Sequence, residues 1–286
     1  VSNAAEPGPR LSESLRARGI PDPYDDLVTG ADARGASSMR RVSCATFFGV
    51  LHNATRVFPA ATEALTAFRA GGGTVILVSN AAEPGPRLSE SLRARGIPDP
   101  YDDLVTGADV ARSLLDAAGV RRVHHIGPAR DRVLFEGLPV TPVPVDAAEE
   151  IVCTGYPDCD DDLDATLDAA LRRGQRLLCT NPDTSLSVGA TRLRFAGLVA
   201  ERYRALGGHV VETGKPGGLI YRRALDKAER LRGRPVDPRG SRNRRTVALD
   251  VVGALGNGFA ALQIGAAQPP PMAASDRLYR MPALVW

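Results

Sequence analysis

Nothing in this sequence fastens a fold from outside a hydrophobic core. Four of its 286 residues are cysteine, and Cys44, Cys153, Cys159 and Cys179 form neither a CxxC pair nor a cluster with histidine at metal-ligand spacing. A disulfide scaffold and a zinc ribbon are thereby excluded, and reduced, mostly buried thiols are expected. Aromatic residues make up 5% of the chain. No apolar run reaches the length that spans a bilayer and no secretory leader pattern is present, so a cytoplasmic protein with no membrane partner is expected. Charge of a single sign is lacking as well: 36 basic residues face 33 acidic ones, a net +3. Much of that excess lies in Arg230–Arg245, whose one Arg-Gly-Arg-Pro step has the composition of a minor-groove contact. It sits in a Pro/Gly-rich connection, so a solvated loop and no nucleic-acid partner are expected.

What the chain does have is a repeat. Val1–Asp32 and Val78–Asp109 are identical letter for letter. Repeat architectures need about three or more units and drift as each unit meets different neighbours, so two perfect copies indicate a duplication rather than a solenoid. The flanks separate the copies. The second follows Gly73-Thr-Val-Ile-Leu, an apolar β-branched run that reads as a buried parallel strand, and leads into Val110–Gly119, a helical pattern with a glycine stop. The first has no strand before it. Ser79 and Asn80 therefore stand at the carboxyl end of a strand, whereas Ser2 and Asn3 stand on a detached segment, residues 1–40.

Beyond Met39, strand and helix patterns alternate. Strands are expected at Arg41–Val50, Thr74–Val78, Leu104–Thr106, Val123–Ile126, Ala148–Thr154, Arg176–Thr180, His209–Glu212 and Thr246–Asp250. Helices are expected at Ala60–Ala70, Arg87–Arg95, Leu163–Arg173, Leu198–Leu206 and Leu219–Arg230. Such alternation specifies an open α/β sheet with ligand sites beyond the carboxyl ends of its strands. There are too many β/α units for one small sheet, so a second α/β lobe inserted in the first is expected.

Four strand-end segments carry the chemistry: Cys44-Ala-Thr-Phe-Phe-Gly-Val-Leu-His-Asn53, Val75-Ile-Leu-Val-Ser-Asn80, Gly214-Lys-Pro216 and Val247-Ala-Leu-Asp-Val251. Phe58–Leu65, Ile126-Gly-Pro128, Cys179-Thr-Asn-Pro-Asp183 and Phe195-Ala-Gly197 accompany them. In order and spacing, from about Val42 to Leu262, these resemble the haloacid dehalogenase superfamily, class IIA phosphatase type. The resemblance implies a Rossmann-like parallel-sheet core (41–107 and 193–265), a large inserted α/β cap (108–192) and an irregular tail (266–286). It also implies a Mg²⁺-dependent phosphatase acting on a small phosphorylated metabolite.

Carried over residue by residue, Ser79 and Asn80 match the phosphoryl-holding motif, with the Ser hydroxyl as donor. Lys215 offsets phosphoryl charge, and Asp250 is the first acidic metal position. Asn181 and Asp183 in the cap are placed near substrate specificity. A trigonal phosphoryl group spreads negative charge that aimed donors and cations stabilise, and Mg²⁺ takes hard oxygen ligands. The first motif departs from the family: Thr46 stands where the nucleophilic aspartate belongs, and Phe48 two residues on. A threonine hydroxyl needs an adjacent base to attack, and no His or carboxylate is near it in sequence. Leu249 and Leu255 replace a Gly and a second acid in the fourth motif. The resemblance thus implies a phosphatase impaired at Thr46. Two alternatives stand beside it: a pseudo-enzyme that holds phosphate without chemistry, and a non-functional product of a rearranged gene. Assembly with further copies of the chain is left open.

Three features are weighed as decoys. Asp158–Asp164 has alternating acids but lacks the glycine and terminal Glu of a calcium loop, His124-His125 reads as strand-end packing, and Gly71–Gly73 precedes a strand and so is a turn.

Overall fold

The computed structural model describes residues 42–46, 51, 59–94, 96–97, 99–159, 162–188, 191–236, 242–245, 257, 260–264 and 278–281. The first copy of the repeat and Asp250 lie outside them. Contacts divide the chain into two units: Val1–Leu77, Gly96–Asp103 and Leu225–Trp286 form one, and Val78–Arg95 and Leu104–Ala224 the other.

In the first unit, β1 (Val42–Thr46), β11 (Arg242–Arg245), β12 (Ala260–Ile264) and β13 (Leu278–Met281) pair in parallel, and β2 (Thr74–Ser79) and β3 (Asp103–Thr106) complete the sheet order β13-β12-β11-β1-β2-β3. Helix α1 (Pro59–Ala70) stops at Gly72, whose φ of 81° a glycine adopts without strain. The chain then enters β2, whose residues Thr74–Val78 are all buried, as the unbroken apolar run predicts. Asp102 fixes this strand: its Oδ2 accepts the Val75 amide at 2.8 Å and its Oδ1 the Arg69 Nε at 2.8 Å.

Two expectations in this unit are corrected. Part of the stretch read as a solvated basic loop, Arg242–Arg245, is a strand beside β1, while the strand expected at Thr246–Asp250 falls outside the described residues. The tail read as irregular contributes β13. Nothing in the described residues explains why these polar stretches form strands.

The second unit holds β4 (Arg122–Ile126), β5 (Thr141–Pro142), β6 (Glu150–Cys153), β7 (Leu177–Cys179) and β10 (Val210–Glu212), all parallel, in the order β10-β7-β6-β4-β5. Alternation along the strands loads both faces. Ile151, Cys153, Leu177 and Cys179 pack on α4 (Leu163–Arg172) and α5 (Ala196–Ala205) through Leu163, Leu167, Val199 and Tyr203. Val123, Val152 and Leu178 pack on α3 (Gly107–Ala117) and the turn at Ala129–Phe135 through Ala111, Leu115, Leu134 and Phe135. Fully burying a side chain of this size contributes about 1.5–3 kcal/mol, so a sheet loaded on both faces needs no cross-links.

Helix α3 begins with a capping box: the Thr106 hydroxyl accepts the Asp109 amide and the Asp109 carboxylate accepts the Thr106 amide. Asp109 also accepts the Gly85 amide at 3.0 Å, which ties in α2 (Gly85–Ala94). The chain passes from β4 to β5 on one side, then returns to β6 on the other side of β4, so the topological switch point lies between β4 and β6. A hairpin of β8 (Ser185–Val188) and β9 (Thr191–Arg194), and α6 (Gly218–Arg232), follow later in the chain. Among the described residues no helix is long and apolar enough to cross a membrane.

Candidate functional site

Three strand-end segments of the second unit, those after β2, β7 and β10, meet at one side chain, Asn80. Its Oδ1 accepts the Lys215 amide at 2.7 Å, and its Nδ2 donates to the Lys215 carbonyl at 3.1 Å. The same Nδ2 donates to Asn181 Oδ1 at 3.3 Å and Asp183 Oδ2 at 3.2 Å. Asn181 Oδ1 also accepts the Asp183 amide at 3.1 Å, curling the segment after β7 into a turn. An amide side chain has two donor hydrogens, so the three acceptors around Nδ2 share them and both are committed. Of the residues singled out from sequence, Asn80, Lys215, Asn181 and Asp183 are joined directly, and Ser79 is carried next to them by the backbone.

Glycines make the closeness possible. A Cβ on Gly214 would stand 2.3 Å from the Thr180 carbonyl oxygen and 2.7 Å from Asn80 Oδ1. One on Gly197 would stand 2.2 Å from the Pro182 carbonyl oxygen, and one on Gly107 2.1 Å from that of Thr180. Beneath them the buried Thr213 hydroxyl lies 2.9 Å from the Gly107 carbonyl and 3.2 Å from that of Cys179.

Ser79 ends β2 half-buried, and its Oγ accepts the Ala81 amide at 3.2 Å. Accepting leaves the hydroxyl proton free to be donated outward. Lys215 is 5% exposed; an ammonium at that depth attracts anionic oxygen more strongly than one in water. Thr46 ends β1, and Asp250 lies outside the described residues. Among the described residues no group of three or more His, Cys, Asp or Glu could hold a metal ion. With a neutral Thr46 at the position where the resemblance implies a carboxylate, the residues described do not fit Mg²⁺.

A second polar cluster sits along the same sheet edge, and sequence reasoning passes over it. His125 Nε2 and Thr154 Oγ1 are 2.8 Å apart, across the ends of β4 and β6, and the Thr154 hydroxyl also bonds the Asp131 carboxylate. Burial, with the Arg132 guanidinium and His124 adding to it, holds His125 down at about 4. Burial pushes Asp131 above the usual carboxylate range, against the Thr154 hydrogen bond. The signal in sequence is the pair of strand-end steps Ile126-Gly-Pro128 and Thr154-Gly155. A Cβ on Gly127, at φ 143°, would stand 2.3 Å from Thr154 Oγ1 and one on Gly155 2.9 Å from Pro128, so both glycines are needed for the loops to close. His124 differs from His125: its Nδ1 lies 3.0 Å from the Val143 carbonyl, a packing role.

Polar loops collected at the carboxyl ends of parallel strands define an α/β protein whose ligand chemistry lies at that edge. Residues 45–140 match the family model of the haloacid dehalogenase-like hydrolases. A haloacid dehalogenase-like hydrolase from Brucella suis is 33% identical, with 82% of this chain and 88% of that one covered and a TM-score of 0.71. The p-nitrophenyl phosphatase from Archaeoglobus fulgidus is similar in fold at 21% identity, covering 86% and 97%, TM-score 0.68. So is the 4-nitrophenylphosphatase from Thermotoga maritima, at 17% identity, 86% and 95%, TM-score 0.69. No curated protein matches the chain in sequence. The chain belongs to the haloacid dehalogenase-like hydrolases.

Proposed function

We propose that this chain binds small phosphomonoesters at Ser79 and Lys215, with Asn80 holding the Lys215 backbone in place, and that their hydrolysis is slow because Thr46 replaces the nucleophile. One observation carries the proposal: Asn80 clasps the backbone of Lys215 from both sides, by the amide at 2.7 Å and the carbonyl at 3.1 Å. That clasp, one residue along from Ser79's strand end, fixes the backbone that carries Lys215 before any ligand arrives. A donor and a cation preset in this way lose little entropy on binding and match the spread charge of a phosphoryl group.

Asn181 and Asp183 act on the ligand by holding Asn80. Phosphatases of this fold generally use Mg²⁺; what this chain's own residues supply is binding and orientation. Without a covalent nucleophile, turnover falls by several powers of ten, each worth about 1.4 kcal/mol of barrier. Fold neighbours named as nitrophenyl phosphatases support the substrate class.

The test is direct. Inorganic phosphate raises the melting temperature of the chain, and Lys215→Ala abolishes the rise. Para-nitrophenyl phosphate with Mg²⁺ is turned over faster by Thr46→Asp than by the chain as it stands. Absence of any phosphate-dependent stabilisation overturns the proposal.

A further inference from the structure

Helix α2 is held in its seat by residues that the chain carries twice. The Gly85 amide donates to Asp109 at 3.0 Å. A Cβ on Gly85 would stand 2.9 Å from Asp109 Oδ2 and 3.1 Å from the Leu104 carbonyl oxygen, so the helix has to begin on glycine. Leu88 and Leu92 are buried, Leu92 completely. The Ser91 hydroxyl donates to Glu83 at 2.9 Å, folding the lead-in back on the helix, and the Pro84 carbonyl accepts the Leu88 amide at 2.9 Å. Glu6, Pro7, Gly8, Leu11, Ser14 and Leu15 repeat these residues at the same spacing.

The stretch that carries α2 is anchored at both ends independently of the helix. Asn80 clasps Lys215, and Asp102 is bonded to Val75 by its carboxylate and its own amide. Residues 81–101 can therefore leave without loosening either anchor. The anchors lie about five residues apart along β2, roughly 17 Å, a span the released stretch covers several times over. Residues 4–24 can also reach the vacated seat. They join β1 through residues 25–41, about 50 Å when extended. Strand β1 is next to β2 in the sheet, which puts its start no more than about 20 Å from Asp102.

We infer that the seat of α2 accepts either copy of the repeat, and that Ala4–Tyr24 of the same chain fills it, with Gly8–Ala17 as the helix, when Ala81–Tyr101 is damaged or displaced. Identical letters remake identical contacts, so the seat itself has no preference between the copies. Connection alone decides. The second copy lies in place as the chain runs from β2 to β3, whereas the first has to close two loops, a cost in chain entropy. The second copy therefore holds the seat in the intact chain and the first is a tethered spare.

Urea unfolding of the full chain tests this. Leu88→Asp with Leu92→Asp puts two carboxylates at buried positions and removes the second copy as an occupant. The midpoint falls, but a cooperative transition remains, because Leu11 and Leu15 take over. Leu11→Asp with Leu15→Asp leaves the midpoint unchanged, and all four substitutions together abolish the transition. Loss of the transition in the second-copy variant alone, or a fourfold variant as stable as that one, overturns the inference. Limited trypsin digestion gives an independent readout, since the new aspartates distinguish by mass peptides that are otherwise the same. In the second-copy variant Arg10 and Arg16 gain protection while Arg87 and Arg93 lose it; protection that stays at Arg87 and Arg93 overturns the inference. The midpoint of that variant is constant over about a hundredfold range of protein concentration. A midpoint that rises with concentration would mean exchange between molecules and overturns the same-chain assignment.

Discussion

Two polar clusters share the carboxyl edge of the second unit's sheet, and they differ in how their hydrogen-bonding capacity is used. Around Asn80 every donor and acceptor of the amide meets a protein group. Around His125 and Asp131 lone pairs are left over. An amide whose hydrogens are all engaged holds backbone in place, because neither hydrogen can take a new acceptor without leaving an existing one. An unsaturated cluster is stable only through the packing around it. The contrast separates a cluster that holds backbone from one whose ring and carboxylate answer to acid, although both have strand-end glycines and both are partly buried.

Mutation of the saturated cluster has the largest expected effect. Asn80→Ala orphans the Lys215 amide and carbonyl and strips a donor from Asp183, each worth about 1–3 kcal/mol. A loss of about 4 kcal/mol in urea unfolding is expected from these together; a loss below about 1 kcal/mol would show that the clasp is ornamental and erase the contrast.

The unsaturated cluster is broken by acid instead. His125 titrates at about 4 when folded, against the ordinary 6.5 of an unfolded chain. Its folded value is depressed, so the unfolded chain takes up the proton first and stability falls as pH drops from about 6.5 towards 4. By about pH 4.5 the loss amounts to at most about 2.5 kcal/mol, reduced by solvent reaching the half-buried ring. Asp131 opposes this over the carboxylate range, because its raised value lets the folded chain bind a proton first. Arg132, His124, Arg130, Asp158 and Glu83 are the charges around the pair. His125→Phe should flatten the acid limb of a plot of unfolding midpoint against pH; an unchanged limb would place the titration elsewhere.

The smallest effect sharpens the comparison from outside either cluster. The ion pair of Arg87 with Glu136 at 3.1 Å is 56% and 65% exposed, and Arg87→Ala should change unfolding stability by no more than about 0.5 kcal/mol.

How much of this is legible in sequence depends on whether the cause is local. The buried run Thr74–Val78 and the alternation Ile151-Val-Cys153 specify strands by composition and period alone. Thr106 and Asp109 announce the start of α3 at capping-box spacing, although the strong helical pattern begins only at Val110. Strand β11 escapes such reading because Arg242–Arg245 has none of the apolar character expected beside β1. The site residues Ser79, Asn80, Lys215, Asn181 and Asp183 are legible as motifs in order. That Asn80 binds the others is not, since its partners lie 101, 103 and 135 positions away. His125 hides behind its neighbour: two adjacent histidines in a strand read as packing, which holds for His124. The difference between them is set by which face meets Thr154, and that depends on the register of β4 with β6.

The three glycines pressed against the Thr180–Asp183 backbone restrict how this protein can change. Gly107, Gly197 and Gly214 come from three distant parts of the chain, and at each one even a methyl group would collide with a carbonyl oxygen. The stretch between them is closed to gradual variation, because a step at any one position requires the others to move. Divergence here is therefore channelled away from the Thr180–Asp183 turn and the three glycines that enclose it.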